Sequence, residues 1–169
     1  RGLGPLLDEA LAIAERAAHL GVHPSIHALR GFIAGARPGG DPETEALQRG
    51  LAASRIALLD ARAAPRFRGE LEPLDPVAGH VPGARNRPYT DNLAADGRFK
   101  DAAGLAADFR ALVRDHPPQD AVLMCGSGVT ACHNLLAMEH AGLHGARIYP
   151  GSWSEWVSDP GRPVATGPA

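Results

Sequence analysis

The apolar positions of this chain fall into short unbroken runs separated by amphipathic stretches. Residues 5–20 mix Ala, Leu and Ile with Asp8, Glu9, Glu15 and Arg16, which predicts a helix with Pro5 in its first turn and Gly21 at its stop. Residues 21–41 are rich in Gly and carry Pro24 and Pro38, a loop composition. Asp41-Pro42 is a helix start, Asp as N-cap and Pro at the first helical position, for a helix to about residue 53 that buries Leu47 and Leu51. Ile56-Ala57-Leu58-Leu59 is a strand-length apolar run that ends in Asp60. Residues 61–90 are rich in Pro, Gly and Arg, and a loop of that length is functional or disordered. Asp101 caps a second amphipathic pattern carrying Leu105, Phe109, Leu112 and Val113, a helix that Pro117-Pro118 ends. Ala121-Val122-Leu123-Met124 is a further buried strand, Ala131 to Ala141 a helix stopped by Gly142, and Arg147-Ile148-Tyr149 a short strand. Strands alternating with helices predict an α/β fold: a small, mainly parallel sheet flanked by helices on both faces. Reactive residues in such sheets sit at the carboxyl ends of strands, where Asp60 and Cys125 fall.

Composition narrows the function classes. The chain has 169 residues, enough for one domain with a core, and 44% of them are hydrophobic against 21% charged. A net charge of −2 gives no electrostatic footprint for nucleic acid, and no apolar run approaches a membrane span. Two cysteines make neither a disulfide scaffold nor a cysteine-rich zinc site, so a cytoplasmic, reducing setting is the default expectation. Asp8 and Glu9 interrupt the first apolar stretch, so it does not read as a signal peptide. The first residue is Arg rather than Met, which points to a chain processed or excised from something longer. His19, His23 and His27 recur every four residues, but Gly21 and Pro24 break the helix that would align them for a metal.

The chemistry concentrates at Cys125-Gly126-Ser127-Gly128-Val129-Thr130. A cysteine there stands in a glycine loop between the end of a strand and the start of a helix. Backbone N–H groups can converge on its sulfur and the helix dipole favours negative charge; both favour the thiolate, the nucleophilic form. Arg62, Arg66 and Arg68 lie within seven residues and offer guanidinium forks for an anionic substrate, with Arg62 better placed for a structural ion pair. Cys132 lies inside the following helix as a core or surface residue. His80 is read as structural, Trp153 and Trp156 as packing under the cysteine loop, and Ser152-x-x-Glu155 as a capping box.

Five segments carry a family resemblance: Leu58-Leu59-Asp60-Ala61-Arg62, Arg66-Phe67-Arg68-Gly69-Glu70, Gly79-His80-Val81-Pro82-Gly83-Ala84, the Cys125–Thr130 loop, and Gly151-Ser152-Trp153-Ser154-Glu155-Trp156. In this order and spacing, from residue 56 onward, the chain resembles the rhodanese superfamily, specifically the C-terminal catalytic domain of two-domain thiosulfate or 3-mercaptopyruvate sulfurtransferases. The resemblance divides the chain into a divergent N-terminal segment, 1–53, and a catalytic domain, 54–169. It implies transfer of sulfane sulfur from a small anionic donor to a thiol or cyanide through a persulfide on Cys125. No metal or organic cofactor is implied, since the cysteine itself carries the sulfur. Gly126, Gly128, Val129 and Thr130 would cradle the persulfide through their amides. Arg66, with Arg68 as a second candidate, would hold the donor, and Asp60 would orient the loop. The lettering Cys-Gly-Ser-Gly-Val-Thr is that of mercaptopyruvate-preferring members, in which the serine matched by Ser127 is catalytic and works with a His and an Asp of a companion rhodanese domain. Those enzymes carry a second arginine nine residues after the first; here Asp75 stands there.

Two other classes fit the sequence less well. Cysteine phosphatases place an arginine six residues after the cysteine, where this chain has Ala131. A rhodanese-like interaction module with little turnover is the stronger alternative, although such modules usually lose the cysteine that is kept here.

Overall fold

A computed structural model describes residues 42–168. The expected helix over 5–20, the three spaced histidines and the Asp41 cap lie outside the described residues. Helix α1 (Pro42–Ala52) leads into strand β1 (Ala57–Asp60) and the one-turn helix α2 (Ala64–Phe67). After a long irregular stretch come β2 (Arg85–Asn86), a 3-10 turn over Tyr89–Asn92, and α3 (Ala102–Val113). Strand β3 (Ala121–Met124), α4 (Val129–His140), β4 (Arg147–Ile148) and α5 (Ser152–Trp156) complete the order. The strands form one parallel sheet in the order β2-β1-β3-β4. No helix among the described residues is long and apolar enough to cross a membrane.

Every residue of β1 and β3 is buried, which is why both read as unbroken apolar runs rather than as an alternation. Successive side chains leave opposite faces of the sheet. Leu59, Ala121 and Leu123 pack with Leu105 and Phe109 of α3 and Leu135 and Met138 of α4. Leu58, Val122 and Met124 pack on the other face with Leu47 of α1, Phe67 of α2 and Trp153 and Trp156 of α5. Helices thus cover both faces, as expected. The hydroxyl of Thr44 on α1 also bonds Tyr149 Oη at 2.8 Å and donates to Glu155 Oε1 at 2.5 Å. Burial and the neighbouring Glu155 charge push the Tyr149 phenol well above its usual range.

Three sequence expectations need correction. Helix α4 begins at Val129 rather than Ala131, because Gly128 adopts φ +85° and turns the chain straight into the helix. Helix α3, capped by Asp101 as expected, ends at Val113, where Arg114 takes a left-handed φ of 54°, before the two prolines are reached. Ser152 and Glu155 form no capping box: Ser152 has φ 53° and turns its hydroxyl away from the amides of α5. The irregular stretch after α2 is tied down by buried and part-buried hydrogen bonds. Arg62 Nη2 donates to Gly79 O at 2.7 Å and Trp153 Nε1 to Val77 O at 2.9 Å, while His80 Nδ1 meets Phe67 O at 2.8 Å and its ring stacks on Phe67. The last described residues fold back over the same region. Ala165 pairs with His80 as an antiparallel bridge, Gly167 N–H donates to Arg68 O, and Trp156 Nε1 donates to Pro163 O.

Candidate active site

The register of β1 against β3 sets Asp60 beside Met124, so the next residue, Cys125, leaves the sheet at the same end as Asp60. Cys125 is 2% exposed and borders a cleft of about 340 Å³. Its loop is held from below by three consecutive residues. Cys125 N–H donates to Ser152 Oγ at 3.1 Å and Trp153 N–H donates to Cys125 O at 3.0 Å. Ser154 donates to Gly126 O from both its N–H and its hydroxyl, each at 2.9 Å. The carbonyls of Cys125 and Gly126 are thus taken up by α5, while the N–H groups of Gly126 to Thr130 donate to nothing among the described residues. Unengaged amides at the start of a helix favour negative charge nearby. Gly128 cannot be replaced freely, since a Cβ there would lie 2.8 Å from Pro150 O.

Arg66 and Arg62 come from α2 and the turn before it, and they differ in role. Arg62, 3% exposed, is bound to both oxygens of Asp60, to Gly79 O and to Glu72, and lies 4.5 Å over the Trp153 ring. It is a buried strut. Asp60 therefore reaches the cysteine loop indirectly, through Arg62 and Trp153. Arg66 lines the cleft, and its guanidinium lies 3.4 Å from where a Cβ of Gly126 would be. Glu72 fixes it with bonds from Nε (3.1 and 3.2 Å) and Nη2 (2.5 Å), and Asp75 accepts from Nη2 at 3.3 Å. Burial alone would raise the Glu72 carboxyl, but Arg66 and the N–H groups of Leu74 and Asp75 outweigh it and hold it below its usual range.

Of the residues singled out from sequence, Arg66, Cys125, Gly126, Ser127, Val129 and Thr130 meet at the cleft. Ser127 is exposed there, and its hydroxyl has no partner among the described residues. Gly128 stands behind the loop as its hinge. Arg68 lies away from the cleft lining and pairs with Glu70 at 2.6 Å, a bond that raises the guanidinium and lowers the carboxyl. Cys132 is partly buried, donates to Gly128 O at 3.5 Å and is pushed up by burial and by Cys125. Sequence reasoning missed Glu72, Ser152 and Ser154. The acidic residues after the arginine run were the one available signal for Glu72. The serines were quoted within a motif, but nothing in the sequence shows which way a hydroxyl turns.

Residues 43–159 match the family described as Rhodanese-like domain. A Pseudomonas aeruginosa protein named "Probable 3-mercaptopyruvate sulfurtransferase" is 60% identical over 121 residues, 72% of this chain and 43% of its own. Human 3-mercaptopyruvate sulfurtransferase is 40% identical over 114 residues, 66% of this chain and 38% of its own. The crystal structure of the Tum1 protein of Saccharomyces cerevisiae superposes with a TM-score of 0.62 at 29% identity, covering 75% of this chain and 45% of that one. The chain thus spans less than half the length of these relatives.

Proposed function

Because the chain belongs to the rhodanese-like domain family, we propose that it is a sulfurtransferase that carries sulfane sulfur on Cys125. In the first half-reaction the Cys125 thiolate attacks the donor sulfur. From thiosulfate, the S–S bond breaks and sulfite leaves. From 3-mercaptopyruvate, the C–S bond breaks and the carbanion, stabilised as an enolate, takes a proton to give pyruvate. In the second, an acceptor thiolate or cyanide attacks the outer sulfur and the Cys125 thiolate leaves. The observation that carries this reading is the run of five unengaged amides, Gly126 to Thr130, that leads from a cysteine at a strand end into α4. Arg66 gives an anionic donor a guanidinium beside it. Ser127, exposed at the cleft and without a partner among the described residues, would bond a donor carbonyl, and a companion domain of the kind that longer relatives have room for would close the cleft over it.

The test is intact-mass analysis after exposure to thiosulfate or 3-mercaptopyruvate, followed by cyanide. The expected result is a gain of about 32 Da that cyanide removes and that is absent in Cys125→Ser. Transfer by Cys125→Ser above a tenth of the wild-type rate defeats the proposal. An adduct that no acceptor discharges would point to a half-site that needs its companion domain, and no adduct from either donor would favour the interaction-module reading.

A further inference from the structure

A closed ring of buried polar groups stands beside the cleft, and the chemistry of Cys125 does not use it. Arg87 Nε donates to Asn92 Oδ1 at 3.1 Å, Asn92 Nδ2 donates to Asn134 Oδ1 at 2.7 Å, and Asn134 Nδ2 donates to Arg87 O at 2.9 Å. Both asparagines are fully buried. The ring fixes which end of each amide points where. A guanidinium only donates, so Asn92 turns its oxygen to Arg87. A backbone carbonyl only accepts, so Asn134 turns its nitrogen to Arg87. The Asn92 NH2 group then gives one hydrogen to Asn134 and reaches His133 Nδ1 with the other, at 3.2 Å. A donor there needs an acceptor, so His133 Nδ1 carries no proton and the ring is the neutral Nε2–H form. Burial acts in the same direction and lowers the His133 pKa from its usual value. Among the described residues the one histidine paired with a carboxylate is His144.

We infer that His133 is a positioning residue of the cleft, whose unprotonated Nδ1 locks the Tyr89–Asn92 turn to α4. The lock joins two borders of the cleft. Tyr89, at the head of the turn, lines it, and so do Val129 and Thr130, at the head of α4. The His133 ring meets the Tyr89 ring edge-on, with centroids 5.3 Å apart, and packs on Phe99 at 4.9 Å. The titratable and charged groups near it are Tyr89 and Asp91 on the turn, Arg87 and Lys100, both bonded to Asp108 of α3, and Cys132 and His140 on α4. Among the described residues the partner of Nδ1 is the Asn92 amide. Protonation would set a second N–H against that NH2 group, donor against donor. Asn92 cannot turn its oxygen to His133 without breaking its bonds to Arg87 and Asn134. The lock therefore holds above the His133 pKa and opens below it. The consequence for sulfur transfer rests on the persulfide reading above: loading of Cys125 slows as His133 gains a proton.

The test uses the full chain and two kinds of readout. Proton–nitrogen NMR spectra of the histidine rings, titrated downward from about pH 7.5, give the tautomer and pKa of His133, assigned by its loss in His133→Asn. The expected form is Nε2–H, with a pKa below the ordinary value of about 6.5. The backbone amide signals of Asp91 and Leu93, which close the turn on Pro88 O and Thr90 O, should shift along the same titration. In His133→Asn they should stay put, because an amide oxygen takes the place of Nδ1 and is not protonated. The second readout is the rate of adduct gain from thiosulfate or 3-mercaptopyruvate, taken as the ratio of His133→Asn to wild type so that the titration of Cys125 cancels. The ratio should be close to unity at about pH 7.5. It should climb about fivefold, the worth of one ordinary hydrogen bond, as pH falls through the measured pKa of His133. His133→Ala, which offers no acceptor, should load slowly on both sides of that pKa. A proton on Nδ1 at neutral pH, or turn amides indifferent to the titration of His133, would overturn the lock. A ratio flat with pH would overturn its part in transfer and leave the persulfide reading standing. A wild-type protein that takes up no adduct sinks the persulfide reading, and the spectra still decide the lock.

Discussion

Glu72 holds the arginine side of the site together, and Glu72→Gln tests that role with little change of shape. The wild-type carboxylate is 3% exposed and accepts from Nε and Nη2 of Arg66, Nη1 of Arg62 and the N–H groups of Leu74 and Asp75. In the variant one acceptor becomes an NH2 group that faces guanidinium N–H groups, so donor opposes donor. Breaking a buried ion pair from one side costs about 3–5 kcal/mol. Arg62 keeps Asp60 and Arg66 keeps Asp75, which places the expected loss at the lower end, about 3 kcal/mol. For a domain of this size that corresponds to a fall of roughly 10 °C in Tm. The pH dependence follows from the lowered Glu72 carboxyl. A group whose folded pKa lies below its unfolded value stabilises fully above the latter, about 4.3 for Glu, and the contribution is lost as pH falls through the folded value. The gap between wild type and Glu72→Gln should therefore be full at neutral pH, persist to about pH 5, and close as pH drops further. Thermal denaturation followed by circular dichroism at several pH values measures it. A neutral-pH difference under about 2 °C, or a gap that widens on acidification, would refute the reasoning.

Two further substitutions probe the cysteine loop. Ser152→Ala removes the hydroxyl that accepts from Cys125 N–H and donates to Tyr149 O; it should cost about 1–3 kcal/mol by leaving a buried N–H unpaired, and should slow persulfide formation, read by urea denaturation and by the rate of adduct gain. Gly128→Ala combines a left-handed φ with a Cβ 2.8 Å from Pro150 O, so it should destabilise by about 2 kcal/mol or more and slow sulfur transfer further still; wild-type transfer in that variant would show that the hinge is not needed.

What the sequence disclosed depended on whether the determining interaction was local. Asp101 is a cap because its own side chain reaches an amide three residues on, a relation visible in sequence. The strands at 57–60 and 121–124 were visible because a parallel sheet buried on both faces needs unbroken apolar runs. The cysteine loop was visible because strand, glycine and helix adjoin in sequence. Ser152 failed this test. Its hydroxyl could cap its own helix or serve a residue 27 positions away, and only the packing of α5 under the loop decides between them. Helix α1, grouped in sequence with the N-terminal segment, is joined to the domain through Leu47 and through Thr44, more than a hundred residues from its partners Tyr149 and Glu155. Arg66 was legible as a candidate anion ligand. That two carboxylates hold it, leaving a single nitrogen without a partner among the described residues, is a fact of three dimensions.

The tail that folds back from Pro163 to Gly167 spans both sides of the cleft. The cysteine loop is fastened to α5, inside the core, and the tail is bonded to α5 through Trp156 Nε1 and Pro163 O. The helix that carries Arg66 is fastened by His80 stacked on Phe67 and by the tail bonded to His80 and to Arg68. Local opening in proteins proceeds by cooperative units rather than residue by residue. Peeling the tail away would strip a bond from each wall at once, at His80 and Arg68 on the arginine side and at Trp156 beneath the cysteine loop, so the two walls should loosen together.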